Sequence, residues 1–119
     1  AALEAARAAV RPGVTGRALY DIACDVIEAA GHPTRRQIAP GESLDHGFYF
    51  SLGHGVGLEV HEEPGLGLSG HEELVPGDVL ALEPGIEGTP VGGVRFEDLV
   101  LVTESGGETL TDFPYDLTP

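Results

Sequence analysis

Residues 53–63, GHGVGLEVHEE, constrain the fold of this chain more than any other stretch. Apolar Val56, Leu58 and Val60 alternate with Gly57, Glu59 and His61, which is the period of a half-buried strand. His54 and His61 lie seven residues apart. A regular strand therefore sends them to opposite faces unless a bulge intervenes. Gly53, Gly55 and Gly57 permit such a bulge and a close approach by other backbone or by substrate.

The remaining elements are arranged around that stretch. Leu3, Ala6 and Val10 form a short helical stripe, stopped by Pro12-Gly13. Thr15 is placed to cap a second helix. Leu19, Ile22, Ala23, Val26, Ile27 and Ala30 give that helix one continuous apolar face, and Gly31 and Pro33 end it. Residues 32–46 read as a loop, with Arg35 and Arg36 either solvated or in contact with substrate. Residues 47–52 turn aromatic and apolar and lead into the His54 strand. Glu62 to Gly65 close it, and residues 65–73 read as a glycine-rich loop that leaves His71 exposed. After the turn Pro76-Gly77-Asp78, residues 79–82 make a short buried strand that ends at Glu83. A second Gly/Pro-rich loop precedes a strand containing Val94, Phe96 and residues 99–102. Ser105-Gly106-Gly107 then signals a hairpin, and the tail from Asp112 to Pro119 has no period. Helices followed by strands predict an α+β arrangement, with helices on one face of an antiparallel sheet.

The chain has 119 residues, enough for one domain, with 6 basic and 20 acidic residues and a net charge of −14. Such a surface repels nucleic acid and anionic membranes. A single cysteine, Cys24, excludes an internal disulfide and reads as a core thiol. No run is long and apolar enough to span a bilayer and no leader is visible, so the cytoplasm is the expected compartment. The sequence opens at Ala1 and contains no methionine, which reads as a piece of a longer polypeptide.

Three polar residues interrupt apolar strands: His54, Glu83 and Glu97. Each alone is either a solvent-facing strand residue or a buried group that needs a partner. Together they read as imidazole and carboxylate ligands for a divalent ion.

The motifs GHGVGLEVHEEPGL, LEPGI and GGVRFEDLVLVTESGGETLT resemble the carboxyl-terminal half of the pita-bread metallopeptidases. That family comprises methionine aminopeptidase, Xaa-Pro aminopeptidase, prolidase and the metal-free creatinase. The helical stretch AALEAARAAVRPGVTGRALYDIACDVIEAAG resembles the helices that precede the histidine motif in the Xaa-Pro branch. The resemblance implies that residues 1–119 form that half of the domain, with helices on a curved antiparallel sheet. It implies His54 as a ligand, Glu83 as ligand and proton shuttle, and Glu97 as a ligand bridging two metals. His61 would contact the scissile carbonyl, and Arg95 lies near the site or serves as a cross-strand charge partner. The implied activity is hydrolysis at a peptide N-terminus, of the Xaa-Pro type, by water activated by two divalent ions (manganese, cobalt or zinc).

Two departures from the family qualify that reading. The two aspartate ligands of the first half have no substitute here, so the 119 residues alone are expected to bind at most one ion weakly and to be inactive. Many relatives carry a histidine four residues before the ligand histidine, where this chain has Phe50. The expected partners are a peptide substrate, the missing N-terminal half and, for the parent, further copies of itself. Two alternatives remain open: a non-catalytic peptide-binding module and a creatinase-like metal-free hydrolase.

Overall fold

A computed structural model describes residues 1–116, and the last three residues of the expected tail lie outside them. Helix α1 spans Ala2–Ala9 and buries Leu3 and Ala6, with Val10 continuing the stripe into the core. Helix α2 spans Gly16–Ala29. Its cap is the expected one, the Ala18 amide donating to Thr15 Oγ1 at 3.2 Å.

The buried face of α2 is rotated from the aliphatic stripe. Gly16, Leu19, Tyr20, Ala23, Cys24 and Ile27 are buried, whereas Ile22 and Val26 are half-buried and Ala30 is exposed. Aromatic packing sets this rotation. Tyr20 lies 5.5 Å from Phe48, ring to ring, and Phe48 meets Phe50 edge-on at 5.1 Å. Burial pushes the Cys24 thiol pKa up, which suits an inert core group.

Seven strands follow: β1 Gly53–Gly55, β2 Glu62–Leu66, β3 Val79–Leu82, β4 Gly85–Thr89, β5 Gly92–Arg95, β6 Asp98–Thr103 and β7 Gly106–Thr109. Five form an antiparallel sheet in the order β2-β1-β3-β6-β7, and β4 pairs with β5 separately. Alternation along β6 buries Asp98, Val100 and Val102. Leu80 and Leu82 of β3 join Val100, Val102, Leu52 and Leu66 in the core beneath the helices. The expected β6–β7 hairpin forms, but it turns at Glu104-Ser105, and Gly106 and Gly107 already belong to β7.

Four sequence expectations need correction. Residues 56–61 are not a half-buried strand: they form a loop, with Leu58 and Val60 exposed. The chain reverses there, and β2 returns antiparallel to β1 with Gly55 opposite Glu62. The Gly/Pro-rich stretch after Glu83 is the β4–β5 hairpin rather than a loop. Gly88 and Gly92 adopt φ of 72° and 106° within it, values that glycine accommodates without strain.

The continuous strand expected across Val94, Phe96 and residues 99–102 is broken. The chain leaves one sheet at Arg95 and enters the other at Asp98. Finally, Arg36 is not solvated. It donates to both Glu28 carboxylate oxygens, to Asp25 and to the Asp21 carbonyl, fastening the segment after α2 back onto that helix.

Candidate active site

Sheet register brings the motif residues to one end of the molecule. His54 sits opposite Ala81, and Ala81 in turn opposite Leu99. These residues occupy the face away from the core, because their neighbours Leu80, Leu82 and Val100 point into it. The last β3–β6 pair is Leu82 with Asp98. Glu83 and Glu97 are the next residue on each strand, at the same end of the sheet.

Glycine on either side of His54 is a steric requirement. A Cβ on Gly53 would stand 1.8 Å from the Ala81 carbonyl oxygen, and one on Gly55 would stand 2.2 Å from that of Glu63. Both contacts are far inside van der Waals distance, so β1 can lie between its neighbours only with hydrogen at these positions.

The imidazole of His54 is oriented by the backbone. Nδ1 lies 2.9 Å from the Gly55 carbonyl. A carbonyl only accepts, so Nδ1 carries the hydrogen of that bond. The other nitrogen, Nε2, faces Glu83 Oε1 at 3.5 Å. A neutral imidazole would thus point one lone pair at another, and a cation between them relieves the repulsion. Two donors that each lie about 2.1 Å from one divalent ion are about 3.0–3.4 Å apart. The pair therefore fits as two ligands of a single ion.

The structure brings some expected residues together and leaves one aside. His61 ends the exposed loop before β2, and its ring meets that of His54 edge-on at 4.2 Å between centroids. The expectation of opposite faces is corrected by the chain reversal between them. Arg95 is not merely nearby: Nη1 donates to Glu83 Oε2 at 3.1 Å. Glu97, on the link between the two sheets, is exposed. Among the described residues, no three of His, Cys, Asp and Glu are grouped closely enough to hold a metal ion.

Three contributors were not legible from the motifs. Glu87 takes the second arm of Arg95, Nη2 to Oε1 at 3.1 Å. Tyr49 donates its hydroxyl to Glu87 Oε2 at 2.7 Å, and this bond to a carboxylate raises the tyrosine pKa. Phe50 lies beneath the guanidinium, whose carbon is 4.0 Å from the ring centroid. The available signal was charge. An arginine in so acidic a chain seeks carboxylates, and Glu87 faces it once the Gly/Pro stretch folds as a hairpin.

Residues 1–104 match the model of metallopeptidase family M24. This chain belongs to family M24. It is 42% identical over 112 residues to a Xaa-Pro dipeptidase of Pyrococcus horikoshii, covering 92% of this chain and 28% of that protein. Among solved structures, a prolidase from the same organism superposes with a TM-score of 0.82 at 38% identity, covering 98% of this chain and 30% of the other. Dipeptidase PepE from Mycobacterium ulcerans gives 0.80 at 38% identity, with 98% and 28% covered. Methionine aminopeptidase from Thermotoga maritima gives 0.69 at 26% identity, with 94% and 48% covered. The chain thus spans a little over a quarter of the length of the curated relatives it matches. The α+β fold with two helices on an antiparallel sheet is the pita-bread arrangement of these M24 proteins. No helix among the described residues is long and apolar enough to cross a membrane.

Proposed function

We propose that this chain is the carboxyl-terminal half of the catalytic domain of an M24 peptidase that cleaves at peptide N-termini, with Xaa-Pro bonds as the preferred substrate. The observation that carries this reading is the His54–Glu83 pair, with Nδ1 tied to the backbone and Nε2 facing a carboxylate oxygen at 3.5 Å. Relatives named Xaa-Pro dipeptidase, prolidase and dipeptidase support the choice of substrate.

His54 and Glu83 would hold a divalent ion, with Glu97 contributing a further carboxylate from the link just before β6. Manganese, cobalt and zinc all suit imidazole and carboxylate donors. When bound, such ions lower the pKa of water and polarise a carbonyl. This chain's own residues supply the rest. Exposed His61, against the His54 ring, is placed to hydrogen-bond the scissile carbonyl oxygen as charge develops on it. Glu83 is placed to carry a proton toward the leaving amine. Arg95 contributes positive charge beside the substrate. Exposed Leu58, Val60, Val91 and Phe113 are consistent with a surface that the rest of a longer domain covers.

The test is titration calorimetry of the 119-residue chain with manganese, cobalt and zinc, beside assays on an Xaa-Pro dipeptide and tripeptide. The expected result is weak binding of at most one ion, abolished by His54→Ala, and no turnover. Two ions bound tightly, or hydrolysis by the chain itself, would mean that a complete site resides here. Binding unchanged in His54→Ala would remove the metal reading.

A further inference from the structure

Arg95 is divided between two carboxylates. Nη1 donates to Glu83 Oε2 and Nη2 to Glu87 Oε1, both at 3.1 Å. A guanidinium beside a single carboxylate commonly takes both of its oxygens in a paired, two-point bond. Here the fork is opened by the second carboxylate, and Glu87 is braced from its far side by the Tyr49 hydroxyl at 2.7 Å. Phe50 supports the guanidinium from below at 4.0 Å. Only one oxygen of Glu83 is therefore engaged by Arg95. The other, Oε1, remains turned toward His54 Nε2.

We infer that Glu87, braced by Tyr49, is a positioning residue that draws one arm of Arg95 aside and so keeps the Glu83 oxygen facing His54 open to a divalent cation. The inference rests on the metal-binding reading of the His54–Glu83 pair. Loss of the Glu87 charge releases Nη2, and the guanidinium closes on both oxygens of Glu83. Arg95 then competes with the cation for that carboxylate. Partners that orient a ligand in this way commonly govern metal affinity by 10- to 100-fold.

The experiment uses manganese alone as the probe, with water-proton relaxation reading its affinity for the 119-residue chain. Glu87→Gln is expected to weaken binding about tenfold, and Tyr49→Phe to weaken it less. Arg95→Met removes the competing cation and should tighten binding. In the Arg95→Met background, Glu87→Gln should change affinity by less than about twofold. Simple loss of a nearby negative charge would weaken binding equally in both backgrounds, and that result overturns the inference.

A metal-free readout separates this inference from the site reading. Carbon NMR of the Glu83 carboxyl and nitrogen NMR of the Arg95 guanidinium should both shift in Glu87→Gln. If neither moves, Glu87 does not position Arg95. If both move while no variant binds manganese, the positioning stands and the metal reading of the pair falls.

Discussion

Replacing Asp98 by alanine should remove about 3 kcal/mol of stability, although this residue takes no part in the proposed chemistry. Asp98 is 2% exposed and opens β6. Its Oδ2 accepts from Arg7 Nη1 of α1 at 2.9 Å and from the Tyr115 hydroxyl, and its Oδ1 accepts from the Thr111 hydroxyl. One carboxylate thereby ties the first helix and the segment after β7 to the start of β6. Breaking a buried ion pair from one side costs about 3–5 kcal/mol. The lower end applies because the Arg7 side chain is 32% exposed and regains water once released. Asparagine keeps an acceptor but loses the charge, so Asp98→Asn should cost about 1–2 kcal/mol. Melting of a domain this size shifts by roughly 4 °C per kcal/mol, which gives a fall of about 12 °C for the alanine variant. Thermal and urea unfolding of Asp98→Ala, Arg7→Met and the double variant would measure the coupling. A loss below about 1 kcal/mol, or additive single effects, would refute the reasoning.

Two further outcomes follow from named contacts. Hydrogen bonding to Arg36, assisted by the Thr34 hydroxyl, holds the Glu28 carboxyl below the usual glutamate range against the opposing effect of burial. A depressed carboxylate contributes stability that is complete above its unfolded value, about 4.3, and is lost as pH falls through its folded value. Urea midpoints of Glu28→Gln should therefore fall less steeply below about pH 4.5 than those of the wild-type chain; equal slopes would mean that the Arg36 clamp carries no linkage. Gly55→Ala drives a methyl group to 2.2 Å from the Glu63 carbonyl oxygen, and should cost about 3 kcal/mol and disturb the NMR signals of both His54 and His61. Gly65→Ala, whose Cβ would meet only the Glu63 carboxylate at 3.4 Å, is the control expected to fold normally.

Local chemistry made much of the fold legible. Thr15 caps α2, and Leu3 and Ala6 are buried in α1, because each follows from neighbours a turn away. Where the reading failed, tertiary structure had overridden a local signal. Val56, Leu58 and Val60 alternate like a strand, yet their loop has no sheet to lie on. Two-residue periodicity describes side chains and says nothing about whether a partner strand exists. The β4–β5 hairpin was hidden for the converse reason. Gly and Pro mark its turns, and its exposed β5, buried nowhere along its length, carries no apolar pattern.

The candidate site divides along the same line. His54 and Glu83 were identifiable because each is a lone polar side chain among glycine or apolar neighbours, and antiparallel pairing sets β1 beside β3. Arg95 is more instructive, since of its two readings the contacts bear out the charge partner. It serves as charge partner to Glu83 and Glu87, and that pairing ties it to the carboxylate that faces His54. Glu97 satisfies the same sequence test as Glu83, but it lies where the chain passes between two sheets. Its neighbour Asp98, which no motif singled out, takes the buried position and the hydrogen bonds. Two adjacent acids cannot both point inward from an extended chain. Burying Asp98 as the anchor for α1 therefore turns Glu97 outward, onto the face where His54 stands. Asp98 thus sets the direction of Glu97, and loosening the anchor should free Glu97 before it disturbs the His54–Glu83 pair.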